Sequence, residues 1–217
     1  MVGAVVLDVN ETLFSLDELD PVFASLGLAD QRDLWFARTL RNGFALTCAG
    51  VYRSFPDVAR GAFLSLAPER VSDADADELL SAFGRLTPHP EVLEALERLQ
   101  STGTPVVTLS VGNAANVERL FRNSGMGDLV TRHVSCEAVG KWKPAPEPYL
   151  HACQELGATP SETWMVAAHS WDLSGARAVG MRTAWLSRLE GRFDPNFGSP
   201  DLQGRDLLDV VAQMIEG

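Results

Sequence analysis

Val5-Val6-Leu7-Asp8-Val9-Asn10-Glu11-Thr12-Leu13 sets the architecture of the whole chain. From residue 2 to residue 7 the sequence is a short apolar run rich in valine. Such a run, followed by Asp8, Asn10, Glu11 and Thr12, predicts a parallel strand buried on both faces with a loop at its carboxyl end. Asp8 then stands at the mouth of that strand. A carboxylate there is held rigidly and kept poor in water, as a covalent nucleophile requires. The segment alone equally allows a loop aspartate that caps a turn.

Residues 105–109, 164–168 and 182–186 share the character of the first strand, and 131–135 is a weaker run of the same kind. Between them, residues 90–100, 114–123, 147–156 and 172–179 carry apolar side chains at three- and four-residue spacing, which predicts helices. Residues 207–215 form a last helix packed on the core. Alternating strand and helix predicts an α/β fold with a Rossmann-like, doubly wound parallel sheet and a ligand site outside the carboxyl ends of its strands. One stretch breaks the alternation. Residues 19–26, 31–48, 55–66 and 73–83 read as helix after helix with no strand between them. Residues 15–87 are therefore expected to form an inserted all-helical cap, and residues 1–14 and 88–217 the core.

Other strand ends also carry polar residues. Ser110 follows Thr108-Leu109 and is expected to open a helix, where a hydroxyl and backbone amides bind an anion. Lys143 precedes Pro144, and Asp172 follows the strand that starts at Trp164. Taken singly, Lys143 and Asp172 read as a structural ion pair, a common feature worth little at a surface. Placed together on successive strand ends, the four residues describe a site.

Asp8 with Thr12, Ser110, Lys143-Pro144 and Trp171-Asp172 resemble, in order, the four signature motifs of the haloacid dehalogenase superfamily over essentially the whole chain. The segment from Leu34-Trp35 to Tyr52-Arg53-Ser54-Phe55, and Ser170-Trp171-Asp172-Leu173-Ser174-Gly175-Ala176, are similar to the 2-haloacid dehalogenase branch in particular. The resemblance implies that Asp8 attacks carbon 2 of a haloacid and displaces halide, and that water then hydrolyses the aspartyl ester. It implies that Lys143 keeps Asp8 ionised and aimed, and that Asp172 holds Lys143 and helps position water. Thr12 and Ser110 would orient Asp8 or bind the substrate carboxylate. Asn10, Phe36, Val111, Asn113, Tyr149 and Trp171 would line the substrate pocket.

The match has gaps. Phosphatases of the superfamily place an aspartate where this chain has Asn10, and an amide cannot transfer a proton at neutral pH. They also carry Gly-Asp where this chain has Ala167-Ala168, which leaves too few oxygens for magnesium. In the dehalogenase branch, Phe36 replaces the arginine that receives halide and Val111 replaces an asparagine of the halide cradle. Ala167 and His169 replace a serine and an asparagine of the last motif. His169 either activates water or contacts the leaving group, or it simply fills the space of an asparagine. Three functions stay open: a metal-independent hydrolase of the dehalogenase branch, a magnesium-dependent phosphatase, and a catalytically retired binding module.

Composition narrows the partners. With 217 residues, 46% of them hydrophobic, the chain is long enough to bury a core. Its net charge of −11 repels nucleic acid and anionic lipid, so any anionic substrate needs local positive charge. Cys48, Cys136 and Cys153 lack metal-ligand spacing and read as reduced packing residues of a cytoplasmic protein. No apolar run nears the roughly 20 residues that span a bilayer. The expected partner is a small carboxylate, with no cofactor or metal, no membrane, and a homodimer by family resemblance.

Overall fold

The structure, a computed structural model, describes residues 3–217, so Val2, where the first run begins, lies outside the described residues. Ala4 to Leu7 are buried throughout because the strand they form lies inside a sheet rather than at its edge. That strand, β1 (Ala4–Leu7), pairs in parallel with β2 (Val106–Ser110) on one side and β4 (Thr163–Ala167) on the other. Leu7 thus sits opposite both Thr108 and Val166. β3 (Arg132–Ser135), β5 (Arg182–Leu186) and β6 (Leu202–Gly204) complete six parallel strands in the order β3-β2-β1-β4-β5-β6. This is the doubly wound order expected from the sequence.

Alternation along the strands explains why the runs are continuously apolar. Val5, Leu7, Val106, Trp164, Val166, Ala184 and Leu186 point into one core cluster, which also holds side chains of helices α5 (Val92–Ser101), α6 (Ala114–Asn123) and α9 (Leu207–Glu216). Val6, Val107, Leu109, Met165, Ala167 and Trp185 point into the other, with α7 (Pro146–Leu156) and α8 (Ser170–Ala178). Both faces of the sheet are covered, so both parities must be apolar.

Between β1 and α5 the chain forms helices α1 (Asp20–Ser25), α2 (Arg32–Cys48), α3 (Phe55–Leu64) and α4 (Asp73–Ala82). Ser54 caps α3, and Ser72 with Asp75 forms a capping box on α4, which fixes where both helices start. Phe23, Trp35, Phe63 and Phe83 pack within this layer. Phe55 stacks on Trp142 and the Phe44 ring lies tilted against Trp171, which ties the layer to the segments that follow β3 and β4. At Gly43 the approach is so close that an added Cβ would lie 2.2 Å from the Trp142 ring.

The structure differs from expectation in four places. β6, a three-residue edge strand with no apolar run, is additional. Ser110 ends β2, and α6 opens only at Ala114 behind an Asn113 cap. α8 begins at Ser170, which puts Trp171 and Asp172 in its first turn. Cys48 is exposed, whereas Cys136 and Cys153 are buried. No helix among the described residues is long and apolar enough to cross a membrane.

Candidate active site

Asp8 is the first residue past β1, and its backbone N–H still donates to Val166 across the sheet, which fixes the direction of the side chain. Thr12 donates to Asp8 Oδ2 at 2.5 Å and in turn accepts from the Ala168 amide, so the loop and the end of β4 are stitched together through one hydroxyl. Lys143 enters from the loop ahead of α7. Its Nζ lies 2.7 Å from Asp8 Oδ1, 2.7 Å from Asp172 Oδ2 and 3.1 Å from the Leu109 carbonyl. All three ammonium protons are thereby used. Tyr149, on α7, donates to the second oxygen of Asp172 at 2.6 Å.

These groups are buried, and that sets their charges. Burial alone would raise the Asp8 pKa, but the adjacent Lys143 ammonium, with His169 beside it, holds the carboxyl well below the usual range. Burial likewise works against a charged Lys143, yet Asp172 and Asp8 raise its pKa above that of an ordinary lysine. For Asp172, burial and the Asp8 charge outweigh the pull of Lys143, and its pKa rises. Tyr149 stays protonated, pushed up by burial and by Asp172. Asp8 is therefore an ionised carboxylate, held on one oxygen by Lys143 and on the other by Thr12.

His169 flanks the same carboxylate. Its Nδ1 lies 3.8 Å from Asp8 Oδ2, while its Nε2 meets Glu11 Oε2 at 2.8 Å. Burial opposes protonation of the ring, but Asp8 and Glu11 prevail and raise its pKa from 6.5 to about 10. The folded state therefore binds more protons than the unfolded state between these two values. This contribution to stability is complete below pH 6.5 and is lost as the pH rises toward about 10. Unfolding free energy is expected to fall by up to about 1.4 kcal/mol per pH unit across that window. Urea midpoints at neutral and alkaline pH measure it, with His169→Asn flattening the decline; an equally steep decline in that variant would contradict the assignment.

Glu11 carries no signature in the sequence, yet the structure gives it a special position. Its φ is +62°, the one positive value at a non-glycine among the described residues. A residue with a Cβ held there costs of order 1–3 kcal/mol. The Glu11 N–H donates to Phe14 and its carbonyl accepts from His89 Nε2, so the backbone is pinned while the carboxylate turns to His169. Glu190, another acid without a sequence signature, accepts from the Ser170 amide and hydroxyl at the start of α8.

The remaining expected site residues divide. Asn10, Ser110 and Asn113 line a cavity of about 160 Å³ together with Phe55, Phe83 and Gly112. Asp8, 6% exposed, does not line it, although its neighbours Val9 and Asn10 do. The Ser110 hydroxyl accepts from the Gly112 amide and keeps its own proton for another acceptor. Asn113 caps α6 and donates to Glu137, which occupies much of its hydrogen-bonding capacity. Phe36 and Trp171 pack beside His169, with ring centroids 6.5 and 5.5 Å away. Val111 is buried in the core cluster, and Tyr149 is fully buried and supports Asp172 instead of lining the pocket. A second cavity, about 370 Å³, has Glu11, Arg32, His89 and Arg188 in its walls and shares only Glu11 with the site.

An ammonium already occupies the position between Asp8 and Asp172, at bonding distance from both. Among the described residues, no group of three His, Cys, Asp or Glu side chains is arranged to hold a metal ion.

Comparison with known proteins gives a consistent picture. The family model for haloacid dehalogenase-like hydrolases matches residues 2–180. The chain is 28% identical to (S)-2-haloacid dehalogenase H-109 of Pseudomonas putida over 99% of both proteins. Its fold superposes on that of the L-2-haloacid dehalogenase RSc1362 with a TM-score of 0.92 at 25% identity, covering 99% of each chain. It also superposes on the L-2-haloacid dehalogenase of Xanthobacter autotrophicus with chloropropionic acid covalently bound. There the TM-score is 0.84 and the identity 23%, over 100% of this chain and 99% of the other.

Proposed function

The chain belongs to the haloacid dehalogenase-like hydrolase family, and from that premise we propose that it is a metal-independent hydrolase of small 2-halocarboxylic acids. Asp8 attacks carbon 2 of the acid, halide departs, and water cleaves the resulting ester at the Asp8 carbonyl carbon. One observation carries this reading: a buried, ionised Asp8 oriented by Lys143 on one oxygen and Thr12 on the other. An attacking carboxylate needs that combination of charge, rigidity and shelter from water.

In this reading Lys143 is a positioning and charge-holding group, Asp172 and Tyr149 fix the lysine, and the Ser110 hydroxyl, whose own proton is free while its oxygen accepts from the Gly112 amide, donates to the substrate carboxylate. Phe55 and Phe83, which face the Asn10 cavity, take the alkyl part. Residues 15–87 act as a cap over the carboxyl edge of the core, residues 1–14 and 88–217. A cytoplasmic location and a homodimer accompany the reading. The phosphatase alternative is disfavoured because Asn10 offers no acid and Lys143 fills the cation position.

The decisive test is a single turnover of (S)-2-chloropropionate in oxygen-18 water, followed by mass spectrometry of the peptide that contains Asp8. Label is expected in Asp8, because water attacks its carbonyl carbon. Label appearing directly in the product with none in Asp8 would refute the covalent route.

A further inference from the structure

Phe36 and Val111 remove polar contacts from the site, whereas Glu11 and His169 introduce a new one. The imidazole is more than nine-tenths buried, and its Nδ1 has no hydrogen-bond partner. That atom faces Asp8 Oδ2 across 3.8 Å, too far for a hydrogen bond. The opposite nitrogen is anchored on Glu11 at 2.8 Å, and Glu11 is held there by a pinned, left-handed backbone. The other candidate bases are occupied. Asp172 spends one oxygen on Lys143 and the other on Tyr149, and the Thr12 hydroxyl serves Asp8 and the Ala168 amide.

We propose that Glu11 and His169 form a dyad in which His169 Nδ1 takes the proton of the water that attacks the Asp8 ester, and Glu11 positions the ring. The proposal rests on Asp8 being esterified, as argued above, and adds the base of the second half-reaction. Charged groups face the imidazole from two directions, Asp8 at the end of β1 and Glu11 in the following loop; Phe36 on α2 and Trp171 on α8 present only aromatic rings.

The proton count closes. In the free protein the ring is a cation between two carboxylates. Esterification converts Asp8 to a neutral acyl group, so one of the two anions that hold the Nδ1 proton is gone, and that proton leaves to water with the halide. The neutral ring keeps Nε2–H on Glu11 and turns the Nδ1 lone pair toward the ester. Water oxygen bonds to Asp8 Cγ while one of its protons passes to Nδ1. The tetrahedral centre then breaks its bond to the product oxygen, which takes the remaining hydroxyl proton. A hydroxy acid, the Asp8 carboxylate and the imidazolium result. Charge on Asp8 thereby sets whether His169 is a resting cation or a working base.

The test is to trap the ester. Wild type, His169→Gln, Glu11→Gln and Asp8→Asn are each mixed with (S)-2-chloropropionate, quenched over time and analysed by intact mass and peptide mapping. Mapping separates an Asp8 ester from alkylation of the exposed Cys48. We expect the Asp8 adduct to accumulate in His169→Gln, with its hydrolysis slowed at least about a hundredfold and its formation changed much less. In Glu11→Gln a slowing of roughly tenfold is expected, since an amide still holds the ring but carries no charge. If His169→Gln is misfolded by circular dichroism, Glu11→Gln alone decides. Hydrolysis at the wild-type rate without adduct, in the folded variants, overturns the dyad and leaves the Asp8 nucleophile standing. Undiminished turnover in Asp8→Asn overturns the covalent reading itself and the dyad with it.

Discussion

Asp8→Asn is expected to lower turnover by roughly four orders of magnitude or more while the protein stays folded. The amide has nearly the shape of the carboxylate, and its oxygen can still accept from Thr12 or Lys143. Charge is lost, and with it the nucleophile, because a neutral amide oxygen does not displace halide from carbon. Lys143 retains Asp172 as its counter-ion, so no unpaired charge is left buried. Single-turnover kinetics and the thermal midpoint, measured on one preparation, separate the two expectations. Turnover within tenfold of wild type would mean that Asp8 is not the attacking group.

The second large effect concerns stability. Lys143→Met keeps much of the side-chain volume but removes the only cation within bonding distance of Asp8 Oδ1 and Asp172 Oδ2 among the described residues. Two carboxylates then face one another without their ammonium, at a cost of about 3–5 kcal/mol. The pH dependence identifies the cause. Asp172, already raised by burial and by Asp8, loses the ammonium that pulls it down and titrates higher still, so the folded state keeps a proton that the unfolded state has lost. The deficit is smallest in mild acid and grows as the pH rises toward neutrality. Urea unfolding across that range measures it. A deficit below about 1 kcal/mol at neutral pH would show that the ammonium is not what makes the buried acids tolerable.

How far the sequence reveals this arrangement depends on the kind of signal each residue leaves. Val5, Val6 and Leu7 are legible because both parities of an internal strand must be apolar, and few surface segments share that pattern. Asp8, Ser110, Lys143 and Asp172 are legible as a set, since Ser110 ends a strand, the other three come after one, and the sheet gathers strand ends at one edge. β6 is too short and too exposed to leave a pattern. Tyr149 looks like a pocket residue in one dimension but is fully buried, because its hydroxyl is needed by a buried carboxylate. Glu11 is invisible for a different reason. Acidic residues are ordinary in loops, and only the backbone angle and the facing imidazole distinguish this one. His169 stands out in the sequence as a substitution, but its partner emerges only when the chain is folded.

The seat of Trp142 has a mechanical consequence. Its indole N–H donates to the Arg53 carbonyl, its backbone N–H donates to Thr47, its ring lies against Phe55, and Gly43 leaves no gap beside it. The next residue along the chain is Lys143. Any sliding of α2 or α3 must drag on the peptide that bears the ammonium, like a lever with a very short arm. Seating those helices and bringing the counter-ion to Asp8 are therefore a single movement, and a looser fit at Gly43 would be felt first as a change in the electrostatics of the carboxylate on the far side of that ammonium.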